Sequence, residues 1–290
     1  MKILLTGAAG FLGSYLLKEF IKRNHKIIII KRSSSDNFRI KKEILKTKVY
    51  DIDKCKTADI FSQNKDIDLI VHTATDYGRK GGSFLDVFKT NVSMPLELLD
   101  FAVKNKVKRF INTGTVLPLT DDKINRNYAI SKQQFLQCLK EYSKDIDIAN
   151  LSFDYIYGPY ENKIKFLPFL IDNCMKNVHS LSLSPCKQKR DFIYIDDVIA
   201  AYIKIIAVSD CGFKEYDAGF GKYQSLKAAV LKIKRITKTK TQFNFGAIAY
   251  RRAEPMETKT NPKSLSALGW KPKVSFEDGI KEIIKLEYAK

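Results

Sequence analysis

Between residues 112 and 132 the chain reads NTGTVLPLTDDKINRNYAISK, which brings Thr115, Tyr128 and Lys132 into one short span. A phenol four residues ahead of an ammonium shares its face if the segment is helical. A hydroxyl from the strand end before them completes a set able to hand a proton to a carbonyl oxygen. An isolated tyrosine ionises near ~10, too weakly to be a ready acid at neutral pH. A neighbouring ammonium favours the phenolate and lowers that value. Tyr128 is therefore the candidate general acid, Lys132 its electrostatic partner, and Thr115 a second hydrogen-bond donor to the same oxygen. Tyrosine and lysine at this spacing occur in many proteins without such a role, so the elements that would hold them decide the reading.

Those elements alternate. The short β-branched runs KILLTG (2–7), KIIIIK (26–31), TKVYDI (47–52), DLIVHTAT (68–75), RFINTG (109–114) and IDIANLSF (146–153) read as buried strands. Helical spacing fills the gaps, as in FLGSYLLKEFIKR (11–23) and NVSMPLELLDFAVKN (91–105). The alternation predicts an α/β chain, a doubly wound parallel sheet of the Rossmann type with helices on both faces. Thr115 then stands at the C-terminal edge of a strand, where open α/β sheets bind ligands. Directly after the first strand comes TGAAGFLG (6–13). Gly7 permits a tight turn, Gly10 lets the backbone approach a pyrophosphate, and Gly13 allows the helix to pack closely with its N-terminus free for negative charge. A dinucleotide is expected there. The second strand ends Lys31-Arg32-Ser33, with the first acid, Asp36, several residues late. A carboxylate at that end would bind the 2′-hydroxyl of NAD, whereas a basic end accommodates the 2′-phosphate of NADP, so NADP(H) is expected ahead of NAD(H).

Past residue 153 the rhythm breaks into aromatic, loop-rich sequence, returns to strand and helix in RDFIYIDDVIAAYIKII, and ends in a turn and a last helix. The expected layout is a dinucleotide-binding core over 1–153, completed by about 190–218. A smaller, mostly C-terminal substrate-binding lobe takes 154–189 and 219–290.

In this order TGAAGFLG, VHTAT (71–75), Asn91, YAISK, YGP (157–159), RDFIYIDDV (190–198) and LGWKPKVSFEDGI (268–280) make the whole chain resemble the extended short-chain dehydrogenase/reductases, the nucleotide-sugar epimerases, dehydratases and reductases. The resemblance implies that Thr115, Tyr128 and Lys132 form the catalytic triad. It also implies that Thr73, Ala74 and Thr75 line the cofactor, that Asp51 and Ile52 flank the adenine, and that Phe11, Leu12, Asn91 and Thr113 belong to the same site. Dehydratases of this group carry an Asp-Glu pair after the active-site threonine; this chain has Val116-Leu117. Typical 4-epimerases keep NAD through an acidic second-strand end, which is absent here. HTATDYGR (72–79), INTGTVLP, YAISKQQF (128–135) and GAIAYRRAEPM (246–256) resemble the branch containing CDP-abequose synthase and related 4-keto-6-deoxyhexose reductases. That implies NADPH-dependent reduction of a nucleoside-diphosphate 4-keto-6-deoxy or 3,6-dideoxy sugar at C4, in surface-polysaccharide synthesis. Arg190, Arg251 and Arg252 suit the paired oxygens of the diphosphate, while Tyr77 and Arg79 are expected over the nicotinamide. Ser152 and Tyr155 stand where many relatives carry arginine and asparagine, and Tyr155 either shapes the sugar pocket or packs. An epimerase with retained NAD and a non-catalytic NADP-sensing regulator remain as alternatives, the second opposed by the presence of both Tyr128 and Lys132.

Composition narrows the partners. The chain has 290 residues, 44% of them hydrophobic, with a net charge of +19. Only 10 of its 51 basic residues are arginine, and the lysines are dispersed rather than gathered in a stripe, which argues against nucleic acid. No stretch is long and apolar enough for a bilayer and no signal-peptide pattern opens the chain, so a cytoplasmic protein without membrane contact is expected. The superfamily often dimerises, and a homodimer is expected, through helices at about 91–105 and 128–143. The five cysteines are scattered without metal-ligand spacing and read as reduced thiols, with no metal. His72 reads as a packed histidine, Asp196-Asp197 as the cap of the helix that follows, and Trp270 as a core anchor.

Overall fold

The computed structural model describes residues 1–78, 81–121, 123–208 and 212–289; Arg79 and Cys211 lie outside them. Six of the expected strands are present: β1 (Lys2–Thr6), β2 (Lys26–Lys31), β3 (Lys48–Asp51), β4 (Leu69–His72), β5 (Arg109–Thr113) and β6 (Asp147–Ser152). They pair in parallel in the order β3-β2-β1-β4-β5-β6, and the strand Phe213–Asp217 adds a seventh beside β6. This is the Rossmann order, with its switch point between β1 and β4. The runs that form the strands are apolar on both faces because helices cover both. Leu4, Ile28, Ile70, Phe110 and Ile148 on the strands share one buried cluster with Leu98 and Phe135 on the covering helices.

The chain divides into two compact units. The first comprises Met1–Thr115, Lys123–Ser152 and Tyr202–Tyr216, the second Val116–Asp122, Phe153–Ala201 and Asp217–Lys290. In this division the segment that returns to the first unit is Tyr202–Tyr216, and Phe192–Tyr194 pairs in parallel with Tyr155–Tyr157 inside the second unit. Two more short pairings belong to that unit, Lys189–Arg190 with Gln224–Ser225 and Ser180–Leu183 with Gln242–Phe245. Its core is aromatic: the ring of Tyr157 meets those of Phe192, Tyr194 and Phe276. The last helix, Phe276–Tyr288, comes so close that a Cβ on Gly279 would lie 2.5 Å from Tyr157 Oη. Trp270 anchors the unit, 4% exposed, donating from Nε1 to Asp197 O at 3.0 Å.

One sequence expectation changes here. The helix Ile195–Ala207 starts before Asp196 and Asp197, so they fall inside its first turn rather than at its cap. The Asp197 carboxylate instead accepts the N–H groups of Lys273 and Val274, at 2.9 and 3.0 Å, and ties the C-terminal loop to the helix. Cys55, Cys138, Cys174 and Cys186 are free thiols.

Candidate active site

The first unit gathers the expected cofactor residues at the C-terminal ends of its strands. Gly7 adopts φ +74°, and a Cβ there would stand 2.6 Å from both Ala74 N and Thr73 Oγ1. A Cβ on Gly13 would reach within 2.1 Å of Gly7 O, so the helix Phe11–Lys22 sits against the turn as only glycine allows. Gly10 opens that helix with no side-chain cap. The first-turn amides at Phe11 and Leu12 thus stay available to an anion, and the cradle fits a dinucleotide pyrophosphate. The loop after β4 is held by Thr6, whose Oγ1 accepts the N–H groups of Thr73 and Ala74 at 3.2 Å each. Its own proton is then directed to His72 Nδ1 at 2.8 Å. His72 is fully buried, and burial first, then the Lys132 charge, holds its pKa well below the ordinary value. It is a neutral, packed histidine and no proton donor to a ligand.

Tyr128 and Lys132 share the helix Lys123–Tyr142, and both are buried at 7% exposure. Lys132 Nζ lies 6.0 Å from the Tyr128 ring centroid and donates to Thr113 O, the end of β5, at 2.9 Å. Desolvation lowers the lysine pKa to about 8, so the ammonium sits beside the phenol at a real cost in lost hydration. Thr113 Oγ1 is itself paired with Tyr202 Oη at 2.6 Å, which fixes the carbonyl that fixes the lysine. Thr115 follows two residues past β5 and is half-buried.

A device that the sequence reading missed sets the other side of the phenol. The helical segment before Met94–Lys104 opens into a π-turn at Lys89–Ser93, which carries Asn91 fully into the interior. Such turns are rare and frequently lie at functional sites. Asn91 Oδ1 accepts from Asp76 N at 2.7 Å and Thr75 Oγ1 at 3.3 Å, and Nδ2 donates to Asp76 O and to Ser131 Oγ. Its amide is spent on the protein, so Asn91 ties the loop after β4 to the Tyr128 helix. Tyr77, next to Asp76, lays its ring on that of Tyr128 with centroids 4.9 Å apart and planes at 30°. Ser131, three residues after Tyr128, is legible only as part of YAISK; nothing in its type announces the bond to Asn91.

The matching sequence profile decides the family: that of the NAD dependent epimerase/dehydratase family covers residues 3–219. The chain belongs to this family. It is 35% identical to CDP-abequose synthase of Salmonella muenchen, over 99% of this chain and 98% of that one. To CDP-abequose synthase of Salmonella typhimurium it is 31% identical, over 98% and 97%. Among solved structures, UDP-glucose 4-epimerase of Thermotoga maritima with UDP-glucose matches the fold at a TM-score of 0.87 and 21% identity, over 98% of both chains. UDP-glucuronic acid 4-epimerase from Bacillus cereus, in complex with UDP-glucuronic acid and NAD, does so at 0.83 and 23%, over 99% of this chain and 100% of that one.

At the second-strand end Lys31 is paired with Asp51 at 2.7 Å, so its charge is met by the protein, and Ile52 N donates to Lys31 O beside it. Arg32 is exposed. In the second unit, Arg190 is buried and engaged: NH2 donates to Glu254 Oε1 at 3.0 Å and NH1 to Lys189 O at 2.7 Å. Tyr155 packs on Phe192, centroids 5.0 Å apart, and its hydroxyl accepts from Leu167 N. Arg251 and Arg252 are exposed, beside Ala253 at φ +52°. Asp154 and Asp191 brace this unit internally: Asp154 accepts from Asp191 N and Thr258 Oγ1, and Asp191 from Phe220 N, Gly221 N and Thr260 Oγ1. Among the described residues no cluster of histidine, cysteine and carboxylate groups could hold a metal, and no helix is long and apolar enough to cross a membrane.

Proposed function

We propose that the protein is an NADPH-dependent reductase of the C4 keto group of a nucleoside-diphosphate 4-keto-6-deoxy or 3,6-dideoxy sugar, serving surface-polysaccharide synthesis. The observation that carries the reading is the buried Tyr128–Lys132 pair, anchored on Thr113 O and standing in the same unit as the Gly7-Gly10-Gly13 cradle. The likeness to CDP-abequose synthases along almost the whole chain supports the substrate class. Bound NADPH supplies the hydride. Tyr128 gives its phenolic proton to the C4 oxygen, Thr115 holds that oxygen by a hydrogen bond, and the Lys132 ammonium stabilises the phenolate left behind. Lys132 keeps this role only while protonated, so the rate should fall as pH rises through about 8.

Arg32 is the residue for the 2′-phosphate, because Lys31 is already neutralised by Asp51. Arg190, Arg251 and Arg252 take the diphosphate, with Glu254 released from Arg190 as it binds. Tyr77 walls the sugar side of the phenol. The test is stoichiometry: NADPH absorbance followed with CDP-, GDP-, UDP- and dTDP-linked 4-ketosugars. One cofactor oxidised per sugar, with NADPH used in preference to NADH and the preference weakened by Arg32→Asp, supports the reductase. Sugar interconversion with no net cofactor change would make it an epimerase, and binding without turnover a sensor.

A further inference from the structure

The ends of β2 and β3 hold a second acid–donor contact beside the Lys31–Asp51 pair. Ser33, two residues past β2, donates its N–H to Asp53 Oδ1 at 2.7 Å and its hydroxyl to Asp53 Oδ2 at 2.5 Å. These bonds, the hydroxyl first, hold the Asp53 carboxyl below the usual range, so it is ionised at neutral pH. Arg32 lies between the two pairs in sequence, and its exposed guanidinium has no hydrogen bond or ion pair among the described residues. Along this edge the charges run Lys31 plus, Asp51 minus, Arg32 plus, Asp53 minus.

A group arriving at the end of the second strand of such a sheet is the adenosine ribose. If it carries a 2′-phosphate, the natural donors are Arg32, the Ser33 N–H and the Ser33 hydroxyl, because backbone amides and hydroxyls past a strand end are good phosphate ligands. Asp53 already occupies the last two. We propose that Asp53 is a specificity-determining residue of the dinucleotide site: its carboxylate competes with the ribose 2′-phosphate for the Ser33 donors and restrains the preference for NADP(H) that Arg32 creates. The inference rests on the NADP reading above for the position of the ribose. Towards a 2′-hydroxyl the same carboxylate is an acceptor and carries no penalty. Towards a phosphate it is a like charge: at about 5 Å, even in a water-like dielectric, repulsion of a dianion amounts to about tenfold in affinity.

Calorimetric titration of the whole protein with 2′,5′-ADP and with 5′-AMP isolates the 2′-phosphate. Asp53→Asn keeps the size of the side chain and one acceptor for Ser33 while removing the charge, at an exposed position. It should tighten 2′,5′-ADP about tenfold and leave 5′-AMP within about twofold, the size expected from removing one unscreened like charge. An unchanged ratio of the two affinities overturns the proposal, and so does weaker binding of 2′,5′-ADP, which would mean that Asp53 holds Ser33 in place for the phosphate. Arg32→Ala is the separate check on the cofactor reading. It should weaken 2′,5′-ADP alone; if it does not, that reading fails whatever Asp53→Asn does.

Discussion

Lys132→Met probes how far burial has moved the ammonium on which the site depends. Desolvation lowers its pKa from the ordinary 10.5 to about 8. At about 1.4 kcal/mol per tenfold in proton affinity, holding the charge at neutral pH costs the fold about 3 kcal/mol. The bond from Nζ to Thr113 O offsets about 1.5–3 kcal/mol of that, the range for a charged donor. Methionine keeps the apolar stem and brings no charge, so the variant should lie within about 2 kcal/mol of the wild type at pH 7. The pH dependence is the sharper quantity. The folded pKa is below the unfolded one, so between about 8 and 10.5 the unfolded chain binds more protons than the native one and stability rises with pH. The variant lacks this contribution, and titrating groups remote from Lys132 cancel in the comparison. Urea unfolding of both proteins at pH 7 and pH 10 should show the wild type gaining roughly 2–3 kcal/mol on the variant. A gain below about 1 kcal/mol, or a loss, would mean that the lysine is solvated and that the phenol has no buried charge beside it.

Two further outcomes follow from the site's geometry. Gly13→Ala drives a Cβ into Gly7 O, a backbone atom that cannot yield, and should abolish dinucleotide binding, whereas Gly82→Ala, whose Cβ would meet Asp86 at 3.5 Å, should bind as the wild type in the same titration. Tyr77→Leu removes the ring stacked on Tyr128 and should lower kcat about fivefold with the cofactor KM unchanged, the size of an aromatic pair, with Tyr77→Phe restoring the rate; a leucine variant at full rate would leave the stack without a part in catalysis.

Much of the first unit was legible in the sequence because its signals are local. β-branched runs such as KIIIIK, bounded by turn signals, read as strands buried on both faces, and TGAAGFLG announces its turn by its glycines. Tyr128 and Lys132 were legible because one helix fixes their spacing. What escaped depends on partners far along the chain. Lys31 reads as a free base until β2 lies beside β3 and its register places it opposite Asp51; both residues close their strands, which was the one available hint. The π-turn at Lys89–Ser93 leaves no mark in residue type, so Asn91 read as a cofactor ligand rather than as the clamp on Asp76 and Ser131. Arg190 and Tyr155 showed the chemistry of substrate residues, while Glu254 and Phe192, which engage them, come together only through the short strand pairings of the second unit.

The most direct test of the central claim is the single-turnover reduction of a 4-ketosugar nucleotide by Tyr128→Phe at saturating NADPH. The phenyl ring keeps the stack with Tyr77 and removes the hydroxyl that carries the proton. The rate should fall by about 10²–10⁴, as for loss of a general acid, while dinucleotide affinity stays as in the wild type. A variant that reduces its substrate within about tenfold of the wild-type rate would contradict the assignment of Tyr128 as the acid.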